Sequence, residues 1–309
     1  MLARVQVICF AASYAIALLL ELSRLVFHSR IRGAVRLGFV AAGWFAHSAY
    51  LYYRAVHAHG SPLSSYHDWY LLAAWVLVLV YFYLSSYHPH THFGAFLLPL
   101  VLALIAVGAL AADRAPIAAE PASKIWDAIH AASILLATVS VLVGFAAGVM
   151  YLGKMRRLKL KLSPFRGFQL PSLEWLQRTN SRALVVSLVM VGISIFSGVI
   201  LNRINAGRHG PVLSWHDPLV LGTLVLFLWL LLHAVIAAVY RPIRRGRKVA
   251  YLTVVSFIFL VLVLAIGLFA KTQHAGLRGV RSDGKKARLV MACGNSPSVS
   301  DDPSCGAAA

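Results

Sequence analysis

Eight apolar stretches, each near the length of a bilayer crossing and separated by short polar connections, constrain this chain more than any motif in it. They run over Val5–Phe27, Leu37–Tyr53, Trp69–Leu84, Phe93–Ala112, Ile129–Leu152, Ala183–Leu201, Leu219–Tyr240 and Ala250–Ala270. A spanning helix needs about 17–25 mostly apolar residues, because hydrocarbon offers no partner to a free backbone group. With 60% of its 309 residues hydrophobic and 13% charged, the chain has too few charges to cover a water-soluble surface. The expected fold is all-α, a polytopic membrane helix bundle of about eight transmembrane helices. A seven-span alternative requires two of these stretches to be one. Residues 1–274 form a single membrane domain in this reading, and the Gly-, Ser-, Asp-, Lys- and Ala-rich segment 275–309 is expected to be a disordered tail.

Net charge +19 would suit a nucleic-acid-binding protein, but the basic residues sit between the apolar stretches, which is the pattern of membrane topology. Seventeen Lys and Arg lie around Arg24–Arg36, between spans five and six, and at Arg241–Lys248. The opposite side has six: Arg4, Arg54, Arg114, Lys124, Arg203 and Arg208. The expected location is therefore the plasma (inner) membrane, multi-pass, with both termini on the outer (periplasmic) side. Six positive charges after Ala270 fall in a polar tail long enough to be exported without controlling orientation. No small-residue cleavage site follows the first stretch, and its positive charges come after it, so it reads as a retained anchor. The lipid bilayer, and no nucleic acid, is the expected partner. Between spans five and six, the basic run Lys154–Lys161 is expected on anionic headgroups, and Pro171-Ser-Leu-Glu174 to start a short interfacial helix.

Four histidines stand out by depth. His47 lies ten residues into the second stretch, near mid-bilayer at about 1.5 Å per residue, and His233 lies in the inner half of the seventh. His130 stands at the outer start of the fifth, and His274 just beyond the outer end of the eighth. An imidazole in hydrocarbon needs a partner, and iron is a natural one, since neutral imidazole is a strong axial ligand. Two buried and two outer imidazoles would describe an inner and an outer haem position. Depth alone leaves haem, a quinone site or a proton pathway open, and for each histidine a hydrogen bond to a neighbouring helix is the alternative.

Short segments around these histidines resemble the cytochrome c assembly family of membrane proteins, of the CcsA/ResC type with its HemX-like branch. Gly60-Ser-Pro-Leu-Ser-Ser-Tyr-His-Asp-Trp69 is similar to an outer-loop segment of that family. Trp126-Asp-Ala-Ile-His130 resembles its first periplasmic histidine segment. Ser214-Trp-His-Asp-Pro218 occupies the place of its tryptophan-rich W-x-W-D-P loop. His233 falls at its membrane histidine, and Lys271-Thr-Gln-His274 at its second periplasmic histidine. The ordered set extends from about residue 37 to 276.

The resemblance implies a haem-handling protein of cytochrome c maturation, binding haem b and presenting it at the outer face for attachment to apocytochrome c. His130 and His274 would be outer axial ligands to haem iron, and His233 an inner ligand. Trp215 and Asp217 would belong to the loop along the porphyrin. The remaining inner ligand is His47 by depth, or a residue of a second membrane subunit (CcsB/ResB-like). Membership in a cytochrome c haem lyase/synthase complex would follow. The loop here departs from the family's pattern: one tryptophan remains, His216 stands where the second would be, and no Lys-Glu follows the proline. That departure keeps a HemX-like accessory role in haem biosynthesis open, beside a quinol-linked b-type haem oxidoreductase. A transporter is disfavoured by the lack of mid-span carboxylates and broken-helix pairs.

Other features carry less. His88-Pro-His-Thr-His92 could capture Zn²⁺ or Cu²⁺, but lacks a carboxylate or thiol to complete a dedicated site. His209 and His216 read as solvated loop residues. Cys293 and Cys305 form no CxxC pair, and incidental tail thiols are the expected reading.

Overall fold

The computed structural model describes residues 2–23, 30–57, 65–87, 91–112, 124–160, 170–207, 214–239 and 247–269. Among them are eight helices and no strand: α1 (Leu2–Ser23), α2 (Arg30–His57), α3 (Tyr66–Tyr87), α4 (Gly94–Leu110), α5 (Lys124–Lys159), α6 (Leu173–Gly207), α7 (Pro218–Val239) and α8 (Arg247–Phe269). Each contains one of the eight apolar stretches or most of it. Five are long and apolar enough to cross a membrane by length and composition: α3, α5, α6, and the parts of α7 and α8 spanning Pro218–Ile236 and Ala250–Phe269. Val7–Ser23 and Gly94–Leu110 are shorter apolar helices. The tail 275–309 and its cysteines lie outside the described residues.

Two quartets of helices build the bundle. In the first, α1 packs on α2 and α4, and α3 packs on the same two; in the second, α5 and α7 each pack on α6 and α8. The quartets meet where α5 touches α3 and α4. Buried Leu71, Leu77, Leu97, Leu98 and Val101 fill the α3–α4 side of the first quartet.

The closest pairing, α5 with α6, follows from small residues. The buried face of α6 presents Asn180, Ala183, Ser187, Val191, Ser194 and Ser197, three or four residues apart and so on one side. Without a hydrophobic force between helices in lipid, such small faces let backbones approach and gain van der Waals contact. Gly144 of α5 meets this face: a Cβ there would lie 3.2 Å from the Ala183 side chain. Asn180 Oδ1 accepts a hydrogen bond from Thr253 of α8 at 2.7 Å, tying the third helix in.

Two findings revise the sequence expectations. Pro171-Ser-Leu-Glu174 does not begin a separate interfacial helix; α6 starts there, ten residues before Ala183, and runs on unbroken. Ser172 caps it, accepting from the Trp175 amide at 3.2 Å. Once a helix is nucleated, each added residue costs little, and nothing between Leu173 and Arg182 breaks one. At 36 and 35 residues, α5 and α6 are about 54 Å and 52 Å long and overrun the roughly 30 Å hydrocarbon core. Lys154 also departs from the headgroup role, donating instead to the Leu170 and Pro171 carbonyls at 3.4 and 2.5 Å.

Ion pairs close the first quartet at both ends. Where α1 ends and α2 begins, Arg36 pairs with Glu21, donates to Ser85 Oγ at 3.0 Å and lies over the Tyr81 ring. At the opposite end Arg54 grips both oxygens of Asp68 at 2.9 Å, and Ser65 donates to the same carboxylate at 2.7 Å. Ser65 also caps α3 through the Asp68 amide at 3.1 Å.

Candidate functional site

His130 lies two turns into α5, facing α6. Its Nδ1 is 2.9 Å from the Ser194 carbonyl oxygen and 3.3 Å from Ser197 Oγ. A carbonyl only accepts, so Nδ1 carries the proton and Nε2 of the neutral ring presents a lone pair. Ser197 Oγ donates to the same carbonyl at 3.0 Å. This is the arrangement by which a second hydrogen bond orients a metal-ligating imidazole and raises its basicity. Gly198 makes room for the ring, because a Cβ at that position would meet His130 Cε1 at 3.1 Å. Trp126, one turn earlier on α5, rests edge-on against Phe196 of α6, with ring centroids 6.4 Å apart.

The turn between α6 and α7 opens at the same end of the bundle. Asp217 caps α7, its Oδ1 accepting from the Leu219 amide at 2.9 Å, with Pro218 at the first helical position. The Asp217 amide donates to the Ser214 carbonyl at 3.1 Å, and the His216 amide to Ser214 Oγ at 3.3 Å. The turn buries Asp217 and leaves Trp215 58% exposed and His216 exposed beside it. Asp217 thus has a structural duty that the sequence reading did not separate from ligand binding. Asp217→Ala is expected to cost about 1 kcal/mol of stability through the lost cap, seen as an earlier thermal unfolding midpoint in detergent.

His233 is 92% buried in α7, which packs between α6 and α8, and its Nε2 has no hydrogen-bond partner among the described residues. His47 is fully buried in the other quartet. Its ring stacks on Phe10 with centroids 4.2 Å apart and planes within 4°, Nδ1 stands 3.5 Å from the Tyr14 hydroxyl, and Nε2 has no partner among the described residues. Among the described residues α2 packs only on α1 and α3, so His47 and His233 belong to different halves of the bundle. His274 lies outside the described residues, as do His88, His90 and His209. His92, in the turn just before α4, is buried rather than exposed, and no metal-binding group of His, Cys, Asp or Glu occurs among the described residues.

Sequence reasoning missed the residues that hold His130. Ser194, Ser197 and Gly198 are polar or small at helical spacing inside an apolar span, and that signal was legible once the facing helix was known. Glu21 was passed over, and Arg36, His67 and Asp68 were read for charge or resemblance but not for their part in packing. His67 Nδ1 donates to the Gly108 carbonyl at 2.7 Å and its Nε2 accepts from Tyr50 at 3.0 Å, so it is fully engaged in packing α2, α3 and α4 together.

A family model described as "Cytochrome C assembly protein" matches residues 63–272. The matched stretch takes in His130, Trp215, Asp217 and His233, begins after His47 and stops before His274. No curated protein and no solved structure matches the chain.

Proposed function

This chain belongs to the cytochrome c assembly protein family, and from that premise we propose that it binds haem b and presents it at the outer face of the plasma membrane to apocytochrome c. The observation carrying this reading is the His130 imidazole, turned by the Ser194 carbonyl so that Nε2 is free to ligate iron. His233, buried with an unpartnered Nε2, fits a second, deeper ligand position. An unsatisfied polar atom in an apolar site is costly, so an axial bond there would relieve a real penalty.

His274 is the other outer axial ligand in this reading, supported by its place after α8. Trp215 is exposed where a flat ring could stack on the porphyrin, gaining about 0.5–1.5 kcal/mol beyond burial. Bound haem supplies vinyl groups to the thiols of the acceptor. The chain's own part is to hold iron from both faces, orient the ring and exclude water with apolar helices. The basic connections stay in the cytoplasm, both termini face outward, and, since His47 lies in the other half of the bundle, a CcsB/ResB-like subunit completes the inner site.

The exposed His216 beside the single tryptophan of the turn favours, as a second reading, a HemX-like accessory protein that binds haem without joining it to the acceptor. Gly198→Val tests haem binding in either case. The added side chain displaces the His130 ring, and haem affinity of the outer site, read by pyridine haemochrome across a haem titration, is expected to fall about 10-fold or more, as for other losses of ligand support. Wild-type protein purified from a haem-replete host without a Soret band would overturn the reading.

A further inference from the structure

We propose that the seam where the two quartets meet binds an anionic phospholipid from the leaflet on the basic side of the bundle, with Arg182 as its headgroup contact. A groove of about 440 Å³ runs between α3, α5 and α6. Its upper walls are Val76, Val80, Leu136, Val139, Val143 and Val186, and its other end is framed by Tyr83, Tyr87 and Trp175. Among the described residues, Arg182 is the only charged one lining it.

Depth and charge select the occupant. Arg182 immediately precedes the apolar stretch Ala183–Leu201, whose 19 residues rise about 28 Å, so the guanidinium stands at the edge of the hydrocarbon where phosphates lie. Tyr83 and Tyr87 are 61% and 69% exposed at the same end, as interfacial aromatics are. Neighbouring cations are engaged: Arg178 pairs with Glu174 at 2.6 Å, and Lys154 with backbone carbonyls. Arg182 is exposed and has no hydrogen bond or ion pair among the described residues. A guanidinium offers phosphate two parallel donors, while the valine walls above it take an acyl chain. Val186, 43% exposed, keeps the groove open to lipid. This site is independent of the haem reading.

The test is quenching of Trp175 fluorescence in nanodiscs containing brominated phosphatidylglycerol or brominated phosphatidylcholine, with Trp175→Phe protein subtracted as background. Wild type is expected to be quenched preferentially by the anionic lipid. Arg182→Gln should weaken that preference about fivefold, the worth of one cation at a membrane surface. Val186→Phe, which fills the groove from the lipid side, should reduce quenching by both lipids, and Arg156→Gln, outside the groove, should leave the preference intact. Native mass spectrometry should show phosphatidylglycerol retained by wild type and lost from Arg182→Gln. Equal quenching by the two lipids, or an undiminished preference in Arg182→Gln, overturns the proposal.

Discussion

On the proposed haem-binding function, purified His130→Ala protein is expected to lose most of the haem of the outer site, with a correspondingly smaller Soret band and lower haemochrome yield. The substitution removes an imidazole already aimed by the Ser194 carbonyl, and support of this kind alone is typically worth about 10- to 100-fold in metal affinity. The fold should survive, since the ring is partly exposed and its removal gives up one hydrogen bond, about 0.5–1.5 kcal/mol. Helical content by circular dichroism is the control. Added imidazole should restore part of the Soret intensity by entering the vacated space beside Gly198 and offering the same donor to iron. Ser197→Ala should fall between, because the carbonyl contact remains. Unchanged haem content in His130→Ala, with His233→Ala equally silent, would leave the two imidazoles as packing residues and remove the haem reading.

Glu21→Leu is expected to destabilise the bundle by about 3–5 kcal/mol, the cost of stripping a buried ion of its counter-charge. Arg36 is 2% exposed and Glu21 fully buried, so water cannot replace the lost carboxylate. Ser85 still accepts one bond and the Tyr81 ring face remains, but neither carries charge. The double variant Glu21→Leu/Arg36→Met should recover most of the loss, because a well-packed apolar pair often equals a buried salt bridge in stability. Denaturant titration in detergent, followed by tryptophan fluorescence, reads the difference. A double variant as unstable as the single one would mean that the site depends on shape, with Gly94 seated against Glu21, rather than on charge balance.

How much of this was legible beforehand depends on the range of the interactions. The eight helices, and the all-helical fold, follow from runs of apolar residues interrupted by charge and proline, because the backbone in lipid must satisfy itself locally. Histidine depth within a span follows from counting along the chain. Helix ends were less legible: Leu173–Arg182 looked like a connection because its composition is polar, yet a nucleated helix continues through polar residues until something stops it. Which face of each helix meets which neighbour was not legible, since at α5 and α6 the pairing depends on small residues from two separate stretches of sequence fitting each other.

The sequence by itself therefore determined a helical membrane chain, the order of its segments, and the depth of its histidines. Only the tertiary structure decided that His130 faces a carbonyl leaving Nε2 free, that His47 and His233 lie in different quartets, and that Glu21 neutralises Arg36. The reason is physical: apolarity acts on each segment alone, whereas a hydrogen bond or ion pair between helices exists only once packing has chosen their partners and their rotation.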